Sequence, residues 1–135
     1  MDISIGTLTP EIFAGLRDAC DMPQLEPELM KLAIDNSLFT LCAVSGQRTV
    51  GAVRMVGDGA FVFVIVDLIV VPLWRRQGIG SKLVEEAIRR ARASVDRSIA
   101  VSLFSVEGRE SFYTRLGFTE LPAAGLGAGM QFFCR

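Results

Sequence analysis

Histidine is absent from this chain, and tyrosine and tryptophan occur once each, as Tyr113 and Trp74. Without histidine, no Ser-His-Asp or Cys-His arrangement can be assembled from the chain's own residues, and zinc loses a principal ligand. Cysteine is also sparse: Cys20, Cys42 and Cys134 are odd in number and lack metal-ligand spacing, so no metal is expected. No apolar run reaches the ~18–20 residues of a membrane span, and the first residues lack the basic-then-apolar form of a signal peptide. These absences predict a soluble, cytoplasmic protein with no membrane partner. Strong charge of either sign is missing too: 14 basic and 15 acidic residues leave a net charge of −1, which gives a nucleic-acid role no electrostatic support.

The 135 residues, half of them hydrophobic, fit one domain over 1–135, able to bury about two-thirds of its unfolded surface. Charge is unevenly placed. Residues 1–36 hold seven acids (Asp2, Glu11, Asp18, Asp21, Glu26, Glu28, Asp35) against Arg17 and Lys31, whereas nine bases face five acids between Arg75 and Arg115. That asymmetry suits a cationic substrate and a polyanionic cofactor; solvated helix faces are the plainer explanation.

Hydrophobic alternation predicts a short strand over Asp2–Thr7. Thr9-Pro10-Glu11 reads as an N-cap with proline at the first helical position, opening a helix to about Cys20. A second helix over Glu26–Asn36 is expected to bury Leu29, Leu32 and Ala33. Strands over Leu38–Val44 and Thr49–Val56 form a hairpin, and Gly57-Asp58-Gly59 turns the chain into Ala60–Val71. This last run is nearly all Val, Ile, Leu and Phe, as in an interior strand buried on both faces, with Asp67 its one charge. A helix through Ser81–Arg92 carries Leu83, Val84, Ala87, Ile88 and Ala91 on one face. A strand over Ser98–Phe104, a helix over Gly108–Leu116, and strands over Phe118–Leu121 and Met130–Cys134 complete the chain. Pro122–Gly129 is a glycine- and alanine-rich loop.

The junction Asp67–Ser81 organises the rest. Between strand and helix stand Arg75-Arg76-Gln77-Gly78-Ile79-Gly80, where glycines let the backbone approach a ligand and the helix's first-turn N–H groups lack partners. The helix dipole contributes about half a positive charge there and the arginines add full ones, so the expected guest is a phosphate or pyrophosphate. Neither G-x-G-x-x-G nor Gly-Lys-Ser/Thr is present. The plainer reading is a tight strand-to-helix turn with solvated arginines.

Leu68-x-Val70-x-Pro72-x-x-Arg75-x-x-Gly78-x-Gly80 resembles the acetyl-CoA signature of the GNAT superfamily of N-acetyltransferases. Phe112-Tyr113-Thr114-Arg115-Leu116-Gly117-Phe118 is similar to that superfamily's F-Y-x-x-L-G-F segment at its usual distance. The resemblance covers nearly the whole chain. It implies an α/β architecture of the α+β type: the GNAT fold, a mixed, mostly antiparallel sheet of about seven strands splayed at the centre and flanked by about four helices. It further implies acetyl-CoA as co-substrate, with the backbone of Leu68, Ile69 and Val70 along the pantetheine arm. The amides across Arg75, Arg76, Gln77, Gly78, Ile79, Gly80 and Ser81 would then hold the pyrophosphate, with the two arginine side chains nearby.

By the same resemblance Tyr113 matches the family's general acid; its plainer reading is packing between Phe112 and Leu116. A phenol near pKa 10 donating to a thiolate whose acid is near 8.5 goes uphill by about 2 kcal/mol, so hydrogen bonding to the leaving sulfur is its larger contribution. An ammonium acceptor near pKa 10.4 is neutral in about one molecule in 10³ at pH 7, a handicap of ~4–5 kcal/mol that a base would relieve. Relatives often carry that base on the strand before the signature, yet Val64 and Val66 stand there. Asp67 is either a hydrogen-bonded structural carboxylate or a base acting through water, and Asp21, Glu26 and Glu107 are further candidates. In the family, the acceptor pocket is walled by segments matching Asp21–Gln24 and Pro122–Gly129. Acids on one wall and a small-residue lid on the other suggest a small cationic amine, with Asp21 and Asp67 toward the acceptor.

Direct transfer in a ternary complex is the leading expectation, because Cys20 and Cys42 lack a partner that would activate a thiolate. A catalytically weak acyl-CoA sensor and a peptide or protein acetyltransferase are the alternatives. The apolar Gln131-Phe132-Phe133 end makes a homodimer an expectation as well. Replacing Tyr113 with Phe is expected to lower turnover within the roughly 10²–10⁴-fold that general acid catalysis supplies, without abolishing it. A steady-state assay that finds no loss would assign the ring to packing alone.

Overall fold

The computed structural model describes residues 3–134. Contacts divide the chain into two units, one running as far as Leu103 and the other starting at Phe104. The first contains a five-stranded sheet in the order β1-β2-β3-β4-β5. Its strands are β1 (Ser4–Gly6), β2 (Phe39–Ser45), β3 (Arg48–Gly57), β4 (Phe63–Val70) and β5 (Val101–Ser102). Every pairing is antiparallel except the last, β4 with β5, which is parallel. With four α-helices the fold is mixed α+β, as expected from the motifs.

Helices α1 (Pro10–Ala19) and α2 (Pro27–Asp35) belong to one face of the sheet and α3 (Ile79–Ala93) to the other. Thr9 caps α1, its Oγ1 accepting from the Ile12 amide at 3.2 Å, with Pro10 at the first helical position. Phe13 and Leu16 of α1 and Met30 of α2 pack with Leu8, Cys42, Ala52 and Ile69. On the opposite face the contact is closest at Gly51. A Cβ there would lie 2.9 Å from the Ile69 carbonyl oxygen, 3.2 Å from Leu83 Cδ1 and 3.3 Å from Ile79 Cγ2, so a bare Cα lets α3 settle against β3. Leu83, Val84, Ala87 and Ala91 of α3 are fully buried. On its outer surface Glu86 accepts from Arg89 and Arg90, and those hydrogen bonds hold its carboxyl down at about 2.

β4 does not alternate evenly. Ile65 lies opposite Met55, while Ile69 lies opposite Ala52, and Met55 and Ala52 are on different faces of β3. Residues four apart on a regular strand share a face; here one extra residue has been inserted and the faces exchange. The insertion is at Asp67, whose φ of 54° is left-handed. β4 is interior and carries buried residues on both faces, Phe63 and Ile65 on one and Ile69 on the other, while Val64 and Val66 are half-buried.

Three expectations are corrected. The sheet has five strands rather than about seven, because Phe118–Leu121 and Met130–Cys134 are not strands. Both lie in the second unit, where an isolated bridge between Ala123 and Leu126 replaces a ladder. Ladder bonds between two segments of four or five residues cannot offset ordering the intervening glycine-rich loop. The strand expected over Ser98–Phe104 likewise shortens to β5. In α2 the buried residue is Met30, while Leu29 and Leu32 are exposed and Ala33 is half-covered. Leu29, Met30, Leu32, Ala33 and Ile34 nearly encircle that helix, so periodicity alone does not select the inward side. The short strand expected from Asp2 begins at Ser4, and Asp2 itself lies outside the described residues.

The second unit holds one helix, α4 (Glu110–Arg115). Among the described residues no helix is long and apolar enough to cross a membrane. Gly51→Ala is expected to destabilise the protein by about 1–3 kcal/mol through overpacking, read as a lower urea midpoint at unchanged m-value.

Candidate active site

The turn from β4 into α3 is built from backbone restraints. The Val71 amide donates to the Val50 carbonyl at 2.9 Å, the last tie to β3. Pro72–Trp74 then form one 3₁₀ turn. Arg76 (φ 62°) and Gly78 (φ 80°) are both left-handed, turning the chain sharply into the helix. Gly78 is the N-cap and contributes no side chain, and its carbonyl accepts from the Lys82 amide at 3.0 Å. No side chain among the described residues caps this end, so the amides of Ile79, Gly80 and Ser81 present their hydrogens outward. A Cβ at Gly78 would meet nothing within 4 Å, so the space beside the turn is open.

Uncapped first-turn amides, the positive end of a 15-residue helix and an exposed Arg76 together fit a phosphate-bearing ligand. The residues expected to hold the pyrophosphate therefore come together, with two distinctions. Ile79 can offer only its backbone, since its side chain is buried against Gly51. The Arg75 guanidinium is not directed at the turn: its Nε donates to the Val70 carbonyl at 3.0 Å, and Nη2 lies 3.9 Å from Cys20 Sγ. Gln77 Nε2 donates to the Leu73 carbonyl at 3.4 Å, and Lys82 Nζ to the Ile3 carbonyl at 2.9 Å.

Leu68, Ile69 and Val70 form the C-terminal end of β4. β5 pairs with β4 only at Phe63↔Val101 and Val64↔Ser102, so beyond Val64 that edge of β4 has no partner strand among the described residues. The pairing stops there because β5 itself ends at Ser102. Ile69 is directed into the core, and the Val70 carbonyl points out of the ladder, where it accepts from Arg75 Nε and from Cys20 Sγ at 3.7 Å. An extended ligand arm can pair with such an open edge as another strand would. Cys20 also joins the end of α1 to the end of β4, so the neighbouring Asp21 is brought to the same end of the sheet. An arginine does stand beside this thiol, a contact that its sequence surroundings do not suggest.

The loop after α1 is held by an arginine that sequence reasoning passed over. Arg17 is buried beneath it and donates from Nε and Nη2 to the Pro23 carbonyl at 3.1 and 2.8 Å, with its guanidinium over the Phe13 ring. Asp21 is left-handed (φ 55°), and Asp18, Asp21 and Glu26 are all exposed. Asp67 has an equally specific partner. Arg54 Nε donates to its Oδ2 at 2.7 Å, while Arg54 Nη1 donates to the Ala33 carbonyl at 3.0 Å and to Ser37 Oγ at 2.9 Å. Asp67 is thus hydrogen-bonded, as the structural alternative left open by sequence requires. A signal for this pair was present: Asp67 is the one charge of β4, and Arg54 is the one charge of β3 beyond its first residue, Arg48.

Tyr113 lies on α4, in the second unit, half-buried and edge-on to Phe112 (4.9 Å between centroids) and Phe118 (5.8 Å). Burial raises its phenol above the ordinary value, with Arg109 opposing. The hydroxyl is thus a hydrogen-bond donor throughout the neutral range. Glu107, exposed in the same unit, carries no resolved partner.

Comparison with known proteins identifies the family. A family model described as an acetyltransferase (GNAT) domain matches residues 11–133. The chain is 29% identical over 135 residues to serotonin N-acetyltransferase 2, chloroplastic, of Oryza sativa subsp. japonica, covering 97% of this chain and 63% of that protein. Across the curated relatives it matches, it spans 29% to 63% of their lengths. A GNAT-family acetyltransferase from Streptococcus pneumoniae superposes with a TM-score of 0.78 at 30% identity, covering 99% of each chain. A protein of unknown function from Staphylococcus aureus superposes at 0.82 with 27% identity, covering 98% of this chain and all of that one.

Replacing Gly78 with Val is expected to cost about 1–2 kcal/mol of backbone strain at φ 80° and to weaken acetyl-CoA binding at least tenfold. Calorimetry on both proteins checks this, and an equal heat with equal affinity would remove the turn from the binding site.

Proposed function

The chain belongs to the GNAT acetyltransferase family, and we propose that it moves an acetyl group from acetyl-CoA directly to the primary amine of a small cationic acceptor. The observation that carries this reading is the uncapped start of α3, with Arg76 and Gly78 left-handed beside open space. When bound there, acetyl-CoA supplies a thioester as acyl donor. The amides of Ile79, Gly80 and Ser81 bind its pyrophosphate, and the open edge at Leu68–Val70 aligns the pantetheine arm. Tyr113, protonated at neutral pH, donates a hydrogen bond to the departing sulfur.

Support for a cationic acceptor comes from the α1–α2 loop. Arg17 is bonded to the Pro23 carbonyl, and its charge is buried beneath the loop, so Asp18, Asp21 and Glu26 dominate the exposed side. The Cys20 contact with Val70 fixes that acidic loop beside the strand along which the donor would lie. The rice relative is named for serotonin, an arylalkylamine, which agrees with this class. With Asp67 engaged by Arg54, the ammonium proton passes to water and from there to bulk solvent, the backbone carbonyls near Val64 and Val66 serving to orient that water.

One observation favours a second reading, a coenzyme-binding sensor: apolar Val64 and Val66 occupy the positions where relatives often carry a base. Thiol release from acetyl-CoA, measured against arylalkylamines, polyamines, a lysine peptide, and neutral and acidic amino acids, separates the alternatives. Turnover at least tenfold faster with the cationic small amines is expected. Preference for an acidic acceptor would overturn the acceptor class, preference for the peptide would move the assignment to protein substrates, and coenzyme binding without thiol release would favour the sensor.

A further inference from the structure

The position where β4 gains its extra residue is filled by an unusual choice of side chain. Arg54 pairs with Val66 and Ala52 with Ile69, which leaves Asp67 and Leu68 together opposite Val53. A strand bulged in this way commonly places a glycine at its left-handed residue, because a Cβ is strained there. The chain has 13 glycines, yet the left-handed residue here, at φ 54°, is Asp67. Its side chain does what a glycine could not: Oδ2 accepts from Arg54 Nε at 2.7 Å. Arg54 stands in the last regular pair before the extra residue, so the contact is made where the two strands fall out of step. The other side of the guanidinium is anchored as well. Nη1 donates to the Ala33 carbonyl at 3.0 Å and to Ser37 Oγ at 2.9 Å, and Ser37 Oγ donates in turn to the same carbonyl at 2.8 Å. A planar fork held on two sides has little freedom to follow Asp67 elsewhere.

The consequences of this pin lie downstream. Side chains alternate along a strand, so loss of the extra residue from the bulge would exchange the faces of everything after it. Ile69 would leave the core that contains Phe13 and Leu16, and the Val70 carbonyl would turn away from Arg75 Nε and Cys20 Sγ. We infer that Arg54 is a positioning residue for the coenzyme edge: acting through Asp67, it fixes the phase of Leu68–Val70 and so decides which backbone groups an extended ligand arm meets. Its action is indirect, through the conformation of residue 67. The inference rests on the reading of that edge as the pantetheine site; the bonds that hold the bulge do not.

Substitutions at position 67 separate the backbone effect from the loss of charge. Arg54→Met removes the guanidinium. Combined with Asp67→Gly it leaves a residue that adopts the left-handed conformation unaided, and combined with Asp67→Ala one that resists it, while neither combination strands a carboxylate. Isothermal calorimetry with coenzyme A reads the edge, and urea unfolding checks that each protein is folded. Arg54→Met is expected to weaken binding by about tenfold or more, the double variant with alanine likewise, and the double variant with glycine to recover to within about threefold of the unsubstituted protein. Glycine would not repair a merely structural loss, since both double variants lack the same hydrogen bonds to Asp67, Ala33 and Ser37. Should Arg54→Met not fold, Arg54→Lys, which keeps the charge but not the fork, is read with the same two substitutions. Equal affinity of the two double variants, or an Arg54 variant that binds like the unsubstituted protein, would overturn the inference. No heat from the unsubstituted protein would overturn the reading of the edge and this inference with it, so the two failures are told apart.

Discussion

One ion pair between neighbouring strands sets the geometry of the whole junction. Asp67 occupies a left-handed conformation that costs an ordinary residue about 1–2 kcal/mol, and Arg54, at 2.7 Å, is the group that holds it there. The same guanidinium satisfies the Ala33 carbonyl near the end of α2, where a cation also complements the helix dipole. A single side chain thus locks the extra residue of β4 and fastens the helix above it. Both partners are largely shielded from solvent, so removing either would strand a charge with little water to replace its partner.

The exchange of faces then propagates along the chain. Because Ile69 is turned toward Phe13 and Leu16, Val70 directs its carbonyl away from the ladder, toward Arg75 and Cys20. The Arg75 guanidinium is held by this contact, whereas Arg76 is exposed beside the helix start. α3 is positioned independently, through the bare Cα of Gly51 against Ile79 and Leu83. The turn into α3 therefore lies between two supports: a pinned bulge upstream and a closely packed helix downstream. Preorganised amides of this kind need no rearrangement to receive a phosphate.

The electrostatics of the first unit are arranged by what is concealed as much as by what is exposed. Arg17 is buried under the acidic loop and bonded to a carbonyl rather than to a carboxylate. Asp18, Asp21 and Glu26 consequently remain free to act on the solvent side. At the same end of the sheet, beyond Val70, the exposed groups are the first-turn amides of α3 and Arg76. Acidic side chains and outward-pointing amides thus stand at one sheet end, an arrangement that suits the proposed pairing of a cationic amine with a phosphate-bearing donor.

The local junction was legible because its signals are local. A glycine pair after two arginines, a proline ending an apolar run, and a helical period resuming at Leu83 depend only on neighbours in sequence, and the β-α turn they describe is present. So is the Thr9 cap, whose hydroxyl finds the amide three residues on. What the sequence alone could not determine are the features that depend on distant partners. The direction of Asp67 follows from Arg54, thirteen residues away and on another strand; the inward face of α2 follows from the site at which Met30 meets α1; the fate of Phe118–Leu121 and Met130–Cys134 follows from whether enough apolar surface is buried to repay ordering them. Composition and spacing determine which elements this chain can form, because each such element is stabilised within a few residues of itself. Tertiary structure decides which way the side chains point and which short strands persist, because those choices are made by contacts between segments that the sequence keeps apart.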